Sequence, residues 1–251
     1  MENKELNFQQ FKRNLSENSL ANQYLSSRNL SNKVLDNDQI AFCPAYSRYS
    51  FPLLRGRLIV PIRNVYGETI ALAGRQIPSI KETVMESLWD SFSYDPKSCQ
   101  QKIDKWNKGK WINEPYIKSK NLYFLDIAKE SIRQKNYAIV VEGYFDVLSF
   151  YDNGIENICA LCGTAITEFQ VALLSRFCDN IVVIMDSDGP GKIASDKVAA
   201  KIKNVGLNAY QIFLPINCDP DDFAQKYDLS FLDETVNSMI KNNKLQMTIR
   251  T

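Results

Sequence analysis

Carboxylates follow three apolar segments in the second half of the sequence. YAIVV (137–141) precedes Glu142, IVVIM (181–185) precedes Asp186-Ser187-Asp188, and AYQIFLPIN (209–217) leads to Asp219-Pro220-Asp221. Asp146 follows shortly after Glu142. The sequence contains no histidine, so the commonest side-chain base and metal ligand is missing. Any catalysis must therefore use carboxylates, lysine, arginine or tyrosine.

Carboxylates gathered at one place are suited to binding a hard divalent cation. Close like charges cannot all stay ionised unless a cation holds them. Oxygen ligands without histidine or thiolate favour Mg²⁺ or Mn²⁺. Paired ions of this kind clamp the attacking and leaving oxygens of a phosphoryl transfer. The alternative is that each acid only caps a helix in a surface loop, and a single acid does not distinguish the two interpretations.

Short apolar strands alternate with amphipathic helices from residue 137 onward. Strands are predicted over YAIVV (137–141), NICAL (157–161), IVVIM (181–185) and AYQIFL (209–214). Helices are predicted between them, one with Thr167 as its N-cap and one ending at Gly206. This order predicts a parallel sheet covered by helices, with ligands beyond the carboxyl ends of the strands. The acids that follow the strands would then share one edge of the sheet.

The first half of the sequence is basic and differently organised. Residues 1–136 hold 21 Lys and Arg against 14 Asp and Glu, whereas residues 137–251 hold 9 against 15. Residues 1–36 are predicted to form polar helices, and residues 57–77 a β-hairpin that turns at Tyr66-Gly67. Trp106 and Trp111 lie among lysines, where they either stack on bases or pack in a core. The charge division favours a polyanionic partner, although a solvated surface gives the same counts.

Several classes of protein are disfavoured. No apolar run approaches the ~20 residues of a membrane helix, and the polar N-terminus lacks the apolar region of a secretory signal. We therefore expect a cytoplasmic protein with no membrane partner.

Cys159 and Cys162 form a C-x-x-C pair, for which buried reduced thiols are favoured over a redox or metal site. Walker A and G-x-G-x-x-G sequences are absent. Haloacid-dehalogenase phosphatases and receiver domains also carry acids on such sheets, but neither explains the whole pattern.

Four motifs in order, VVEGYFDVL, CGTAIT, VVIMDSDGPGKIA and CDPDDF, resemble the TOPRIM domain of bacterial DnaG-type primases. RLIVPIRNVYGETIALAGR and KSKNLYFLDIAK resemble the segments that precede TOPRIM in that family, so that the resemblance spans about residues 20–228. It implies that Glu142 acts as a general base or assists metal binding, with Asp186 and Asp188 also catalytic. The resemblance further implies two or more Mg²⁺ or Mn²⁺ ions held by Glu142, Asp146, Asp186, Asp188, Asp219 and Asp221. It implies a basic track for template and nucleotide at Arg57, Arg75, Tyr116, Lys118 and Lys120.

These inferences predict an α/β fold, with a TOPRIM parallel sheet flanked by helices and preceded by a basic α+β subdomain. The expected layout is a helical N-terminal segment at 1–40, the basic subdomain at 41–134, the TOPRIM domain at 135–228 and a helical tail at 229–251. The zinc-binding module and the helicase-binding domain of the family are expected to be absent.

The predicted function is that of a DNA primase catalytic core, which makes short RNA primers from NTPs on single-stranded DNA. The expected partners are the template, NTPs, and a replicative helicase or a separate zinc-module or primase subunit. Such a protein acts in the cytoplasm, at the nucleoid or in the replication of a mobile element or phage. Two alternatives stay open: a TOPRIM nuclease, which the same acids would support, and a non-catalytic module that binds DNA or a primase partner.

Overall fold

A computed structural model describes residues 3–163, 165–216 and 218–249. These residues form two compact units, each built on a sheet of its own. The first unit contains the described residues up to Ile62 together with Glu68–Tyr116, and the second contains Arg63–Gly67 and the residues from Ile117 onward. Within the described ranges, no helix has both the length and the hydropathy needed to cross a bilayer.

The first unit has a four-stranded sheet and five α-helices among its described residues. The elements are α1 (Lys4–Glu17), α2 (Ser19–Ser26), α3 (Asn32–Asp36), β1 (Ala41–Cys43), β2 (Arg57–Arg63), β3 (Thr69–Gln76), α4 (Lys81–Phe92), α5 (Pro96–Lys108) and β4 (Trp111–Asn113). The sheet order is β1-β2-β3-β4. The predicted hairpin is present as β2 and β3, and Gly67 takes the positive φ of 89° at its turn.

A buried carboxylate anchors the N-terminal helix to this sheet. Glu114 accepts hydrogen bonds from Lys4 Nζ at 2.7 Å, from the Tyr49 hydroxyl at 2.6 Å and from the Leu72 backbone N–H at 2.8 Å. Phe8 of α1 is fully buried in the same core. The described N-terminal helices therefore belong to the same compact unit as the sheet.

The second unit has a five-stranded sheet of order β6-β5-β7-β8-β9, in which every neighbouring pair is parallel. The elements are α6 (Leu125–Lys135), β5 (Tyr137–Val141), α7 (Tyr144–Asp152), β6 (Ile158–Ala160), α8 (Glu168–Leu174), β7 (Asn180–Val183), α9 (Gly189–Asn204), β8 (Asn208–Phe213), α10 (Pro220–Lys226), α11 (Leu232–Lys241) and β9 (Gln246–Thr248). The fold class predicted from the sequence is confirmed, because each expected strand of this half is present in a parallel sheet.

The helices that follow the strands begin at capping side chains. Thr167 accepts from the Gln170 backbone N–H at 3.2 Å and is the N-cap of α8, as predicted. Asp188 accepts from the Gly191 N–H at 2.6 Å, and Asp219 accepts from the Asp222 N–H at 2.7 Å. Both aspartates are therefore the N-caps of the helices that follow them, α9 and α10.

The C-terminal segment is not purely helical. After α11, residues 246–248 form β9, which pairs with β8 at the edge of the sheet. The alternation of polar and apolar side chains in this short stretch suits an edge strand. Residues 250 and 251 of the expected tail lie outside the described residues. At the other boundary, α6 packs against β5 and β6, so that residues 117–134 belong with the second unit.

An ion pair joins α11 to α6, and it predicts that the stability of the protein depends on pH. Asp233 accepts from Lys135 Nζ at 2.5 Å and from the Tyr137 hydroxyl. Burial alone would raise the pKa of Asp233, but these two donors outweigh it and lower the pKa. A lowered pKa means that the stabilisation is present above the unfolded-state pKa near 3.8 and is lost as the pH falls through the folded-state value.

We expect Asp233→Asn to lower the free energy of unfolding by about 1 kcal/mol at pH 7, because the pair is partly exposed. The difference from the parent should shrink as the pH falls below about 4. Urea unfolding at several pH values measures both effects. Glu234→Gln, on an exposed side chain of the same helical turn, changes the charge equally and should leave stability within about 0.5 kcal/mol. Equal losses of unfolding free energy in the two variants would contradict a stabilising role for the Asp233–Lys135 ion pair.

Candidate functional site

The three strands that end in acids lie side by side. The order β5-β7-β8 places the loops that begin at Glu142, Asp186 and Asp219 next to one another. Because the strands are parallel, all three loops leave the same edge of the sheet. Neighbouring strands are about 4.8 Å apart, so acids from separate parts of the sequence converge within a few side-chain lengths.

The carboxyl group of Asp146 lies among the other acids. Its Oδ2 accepts from the Gly143 backbone N–H at 2.7 Å at the start of α7. Burial, together with the negative charges of Asp221, Asp186 and Asp219, raises the pKa of Asp146 to about 7 against that hydrogen bond. The charges of Asp186, Asp219 and Asp221 therefore act on Asp146, and these four acids come from the segments that follow three different strands.

The acids differ in exposure and in the bonds that hold them. Asp221 is only 6% exposed, and its Oδ1 accepts from Ser149 Oγ at 2.5 Å and from Gln225 Nε2 at 2.7 Å. Asp188 and Asp219 are exposed and use one oxygen each as helix N-caps. A carboxylate has a second oxygen, so capping leaves each of them able to accept another ligand.

Glu142 lies beside the loop that follows β6. Its backbone carbonyl accepts from the Cys162 N–H at 2.9 Å, and the Cys162 carbonyl accepts from Lys118 Nζ at 3.4 Å. Burial raises the pKa of the Cys162 thiol to about 12; Lys118 lowers that pKa, and Asp146 and Glu142 raise it. Lys118 therefore lies close to the acidic loops of its own unit.

The segment that carries the two predicted lysines is attached to α8. Thr167 Oγ1 donates to the Ser119 carbonyl at 2.7 Å, and Gln170 Nε2 donates to the Lys118 carbonyl at 3.1 Å. Lys118 and Lys120 are exposed, and Lys120 Nζ lies 5.8 Å from the centre of the Phe169 ring. The helix cap predicted from the sequence thus also holds the segment that carries these two lysines, of which Lys118 lies close to the acidic loops.

Arg57, expected on the basic track, is fully buried in the first unit. Its guanidinium donates to backbone carbonyls, among them those of Leu53, Gly74 and Trp106 at 2.9, 3.2 and 2.8 Å. It also lies 4.9 Å from the centre of the Trp106 ring. Burial lowers its pKa to about 10, which keeps it charged near neutral pH. This position corrects the expectation: Arg57 braces the first unit and does not present its charge to phosphates.

Of the other two predicted track residues of the first unit, Arg75 is buried and Tyr116 is half-buried. Arg75 is 7% exposed, donates from Nε to the Tyr24 hydroxyl at 3.0 Å and stacks 5.7 Å from the centre of the Trp111 ring. Tyr116 is half-buried at the end of the unit. Trp106 is fully buried, which confirms the packing interpretation for that tryptophan.

All six cysteines are free thiols, which agrees with the expectation of reduced side chains. Five are buried and Cys162 is half-buried. Burial raises the pKa of Cys43 and of Cys178 to about 12, so these thiols stay protonated and weakly nucleophilic at neutral pH.

Among the described residues, no group of three or more His, Cys, Asp or Glu side chains is close enough to hold a metal ion by itself. Mg²⁺ usually takes one or two carboxylates and completes its shell with water and substrate phosphates. The possible donors are all oxygen atoms, and the charges of Asp186, Asp219 and Asp221 raise the pKa of Asp146. Such a set of donors fits a hydrated ion. It does not fit a closed metal cage.

Sequence reasoning missed the polar residues that hold the acids. Ser149, Gln225 and Ser187 each bond an acid or an acid-bearing loop. Serine and glutamine are common on surfaces, so residue type alone did not identify them. A weak signal existed for Ser187, because a hydroxyl stands directly between two aspartates.

The Toprim-like family matches residues 139–224, the part of the chain that carries all three acidic loops. The chain therefore contains a Toprim domain. Its wider similarity is to DNA primases: 31% identity over 228 residues with that of Aquifex aeolicus and 26% over 256 residues with that of Rickettsia bellii. These alignments cover 89% and 88% of this chain and 38% of each relative. The chain is thus a homologue of the DnaG-type DNA primases over a region shorter than half of their length.

Solved structures show the same fold. The zinc-binding and RNA polymerase domains of the Aquifex aeolicus primase align with a TM-score of 0.71 at 25% identity, over 94% of this chain and 59% of that one. A DnaG catalytic core aligns with a TM-score of 0.70 at 23% identity, over 94% of this chain and 77% of that one. A DnaG catalytic domain bound to single-stranded DNA aligns with a TM-score of 0.67 at 22% identity, over 94% of this chain and 75% of that one. The described fold is that of the primase catalytic core.

Proposed function

We propose that this chain is the catalytic core of a DNA primase, which synthesises short RNA primers from NTPs on a single-stranded DNA template. The observation that carries the proposal is the convergence of acidic loops at the ends of β5, β7 and β8. The Toprim match and the similarity to primases over most of the chain support it. In enzyme terms it is a DNA-directed RNA polymerase of the primase type.

The carboxylates suit a site for Mg²⁺ or Mn²⁺ that is completed by the substrate. Asp186, Asp188, Asp219 and Asp221 would hold the ions, with Glu142 and Asp146 beside them, and two or more ions are proposed. When bound, such ions neutralise the charge that develops on the triphosphate during transfer.

The protein side chains have separate roles in the proposed transfer. The primer 3′-oxygen bonds to the α-phosphorus of the incoming NTP, the bond from that phosphorus to the bridging oxygen breaks, and pyrophosphate leaves. Glu142 accepts the proton of the 3′-hydroxyl or assists metal binding. Lys118, close to the acidic loops, and Lys120, exposed on the same segment, attract phosphate oxygens. Arg75 and Tyr116 are proposed to contact nucleic acid on the first unit.

A primer-synthesis assay tests the proposal directly. The full chain is incubated with single-stranded DNA, radiolabelled NTPs and either Mg²⁺ or Mn²⁺, and RNA products are resolved by length. We expect short RNA that depends on template, all required NTPs and metal. Nicking of supercoiled plasmid without NTPs, in the absence of RNA, would contradict the proposal and favour a nuclease. DNA binding without product, with synthesis restored by an added primase subunit, would instead favour a non-catalytic module.

The partners follow from the same proposal. They are the DNA template and NTPs, with a replicative helicase or a separate zinc-module subunit as protein partners. The proposed place of action is the cytoplasm, at the nucleoid or in the replication of a mobile element or phage.

A further inference from the structure

Ser187 joins two of the acidic loops. Its backbone N–H donates to the Cys218 carbonyl at 3.3 Å, and its Oγ accepts from the Cys218 N–H at 3.0 Å. Ser187 is 9% exposed and Cys218 is 7% exposed, so both bonds are shielded from water. The bonded residues are adjacent to acids on both sides: Asp186 and Asp188 flank Ser187, and Asp219 follows Cys218.

The two bonds link the loops that follow the neighbouring strands β7 and β8. Asp186 and Asp188 lie on the loop between β7 and α9, and Asp219 lies on the loop between β8 and α10. Their charges repel one another, and both Asp186 and Asp219 raise the pKa of Asp146. The two hydrogen bonds between Ser187 and Cys218 oppose that repulsion, because both residues are adjacent to the aspartates.

The hydroxyl of Ser187 contributes more to position than to stability. The Cys218 N–H also donates to the Pro215 carbonyl at 3.2 Å within its own loop. Removal of the Ser187 hydroxyl therefore leaves no buried donor unpaired, which is the costly outcome in a protein interior. What is lost is the bond from the Cys218 N–H to the hydroxyl, while the bond from the Ser187 N–H to the Cys218 carbonyl remains.

We propose that Ser187 is a positioning residue that sets the relative position of the Asp186–Asp188 loop and the Asp219 loop for binding of a divalent cation. This inference rests on the proposed function, because it assigns the acids to an ion. Mg²⁺ demands near-ideal octahedral geometry at about 2.0–2.1 Å, whereas Ca²⁺ accepts six to eight ligands in flexible arrangements. Loosening of the loops should therefore weaken Mg²⁺ binding more than Ca²⁺ binding.

The test measures ion binding on the full chain without DNA or NTP. Free Mn²⁺ is titrated by electron paramagnetic resonance, and bound Mn²⁺ is displaced with Mg²⁺ or Ca²⁺. For Ser187→Ala we expect Mn²⁺ and Mg²⁺ affinity to fall roughly fivefold, the worth of about one hydrogen bond, with a smaller fall for Ca²⁺. Ser187→Thr, which keeps a hydroxyl, should restore Mg²⁺ affinity to within about twofold of the parent.

Ser195→Ala is the matched control. Ser195 is 2% exposed on α9, and its Oγ accepts from Gln211 Nε2 at 3.0 Å; that donor also reaches Asp196 at 2.8 Å. This variant likewise removes a buried hydroxyl without orphaning its donor, but the bond does not join acidic loops. We expect its ion affinities to match those of the parent.

The outcomes separate the two proposals. Parent-like Mn²⁺ and Mg²⁺ affinity in Ser187→Ala would overturn the positioning role, and so would equal losses for Mg²⁺ and Ca²⁺. Absence of Mn²⁺ binding by the parent chain would also overturn it. Weakened Mg²⁺ binding in Ser187→Ala, in a chain that makes no RNA in the primer assay, would support the positioning role while the proposed function fails.

Discussion

Asp186→Asn is expected to lower RNA synthesis by about 10³-fold. Asp186 follows β7, the strand flanked by β5 and β8, and its charge acts on Asp146. The amide keeps the size of the side chain but removes a negative charge that the proposed site uses to hold its ions. Stabilisation of transition-state charge by a metal is worth several kcal/mol, and each 1.36 kcal/mol corresponds to about tenfold in rate.

The same variant should remain folded, because removal of one like charge relieves repulsion among the acids. Initial rates of NTP incorporation at fixed template and metal measure the effect, and thermal unfolding reports the fold. Asp196→Asn provides the control, because Asp196 is exposed on α9 of the same unit and the charge change is equal. We expect parent-like rates there. RNA synthesis by Asp186→Asn at the parent rate would reject the acidic edge as the active site.

Gly191→Ala is expected to lower RNA synthesis about 10²-fold. A Cβ on Gly191 would lie 2.3 Å from the Asp186 carbonyl oxygen and 2.9 Å from Asp188 Oδ1. The first of these atoms is backbone, so the loop itself has to move. Displacement of catalytic groups by about 1 Å can cost 10²-fold in rate, and both displaced residues belong to the proposed site.

Gly189→Ala is the matched control within the same Gly-Pro-Gly sequence. A Cβ on Gly189 meets no atom within 4 Å. We expect rates within about threefold of the parent, since alanine is at least as favourable as glycine in a helix. Comparison of initial rates and ion affinities of the two variants isolates the steric effect. Equal rates in both would mean that the loop absorbs the added methyl group without moving the acids.

Much of the second unit could be predicted from the sequence because its signals are local. YAIVV at 137–141 is a strand with those bounds, since a continuous apolar run must be buried on both faces of a sheet. Thr167 caps α8 because a hydroxyl can reach an N–H three residues ahead. That the acids share one edge of the sheet also followed, because it needs only parallel strands, whereas the sheet order makes the three strands neighbours.

Residue type alone does not reveal whether a side chain is buried or which remote residues it bonds. The family resemblance implied a basic track at Arg57, and arginine is chemically suited to phosphate contacts only where its guanidinium is accessible. Whether it lies on the surface depends on carbonyls that the fold brings from Gly74 and Trp106, far along the chain. Ser187 was overlooked for the same reason, since Cys218 is remote in sequence.

The sequence alone thus determined the four strands β5 to β8 and the acids that follow three of them, because hydrophobic periodicity and helix capping act over a few residues. Only the tertiary structure decided which cation is buried, which acid lies inward and which hydroxyl ties two loops together. Those outcomes depend on hydrogen-bond partners brought together by packing, and such long-range contacts leave no pattern in a single sequence.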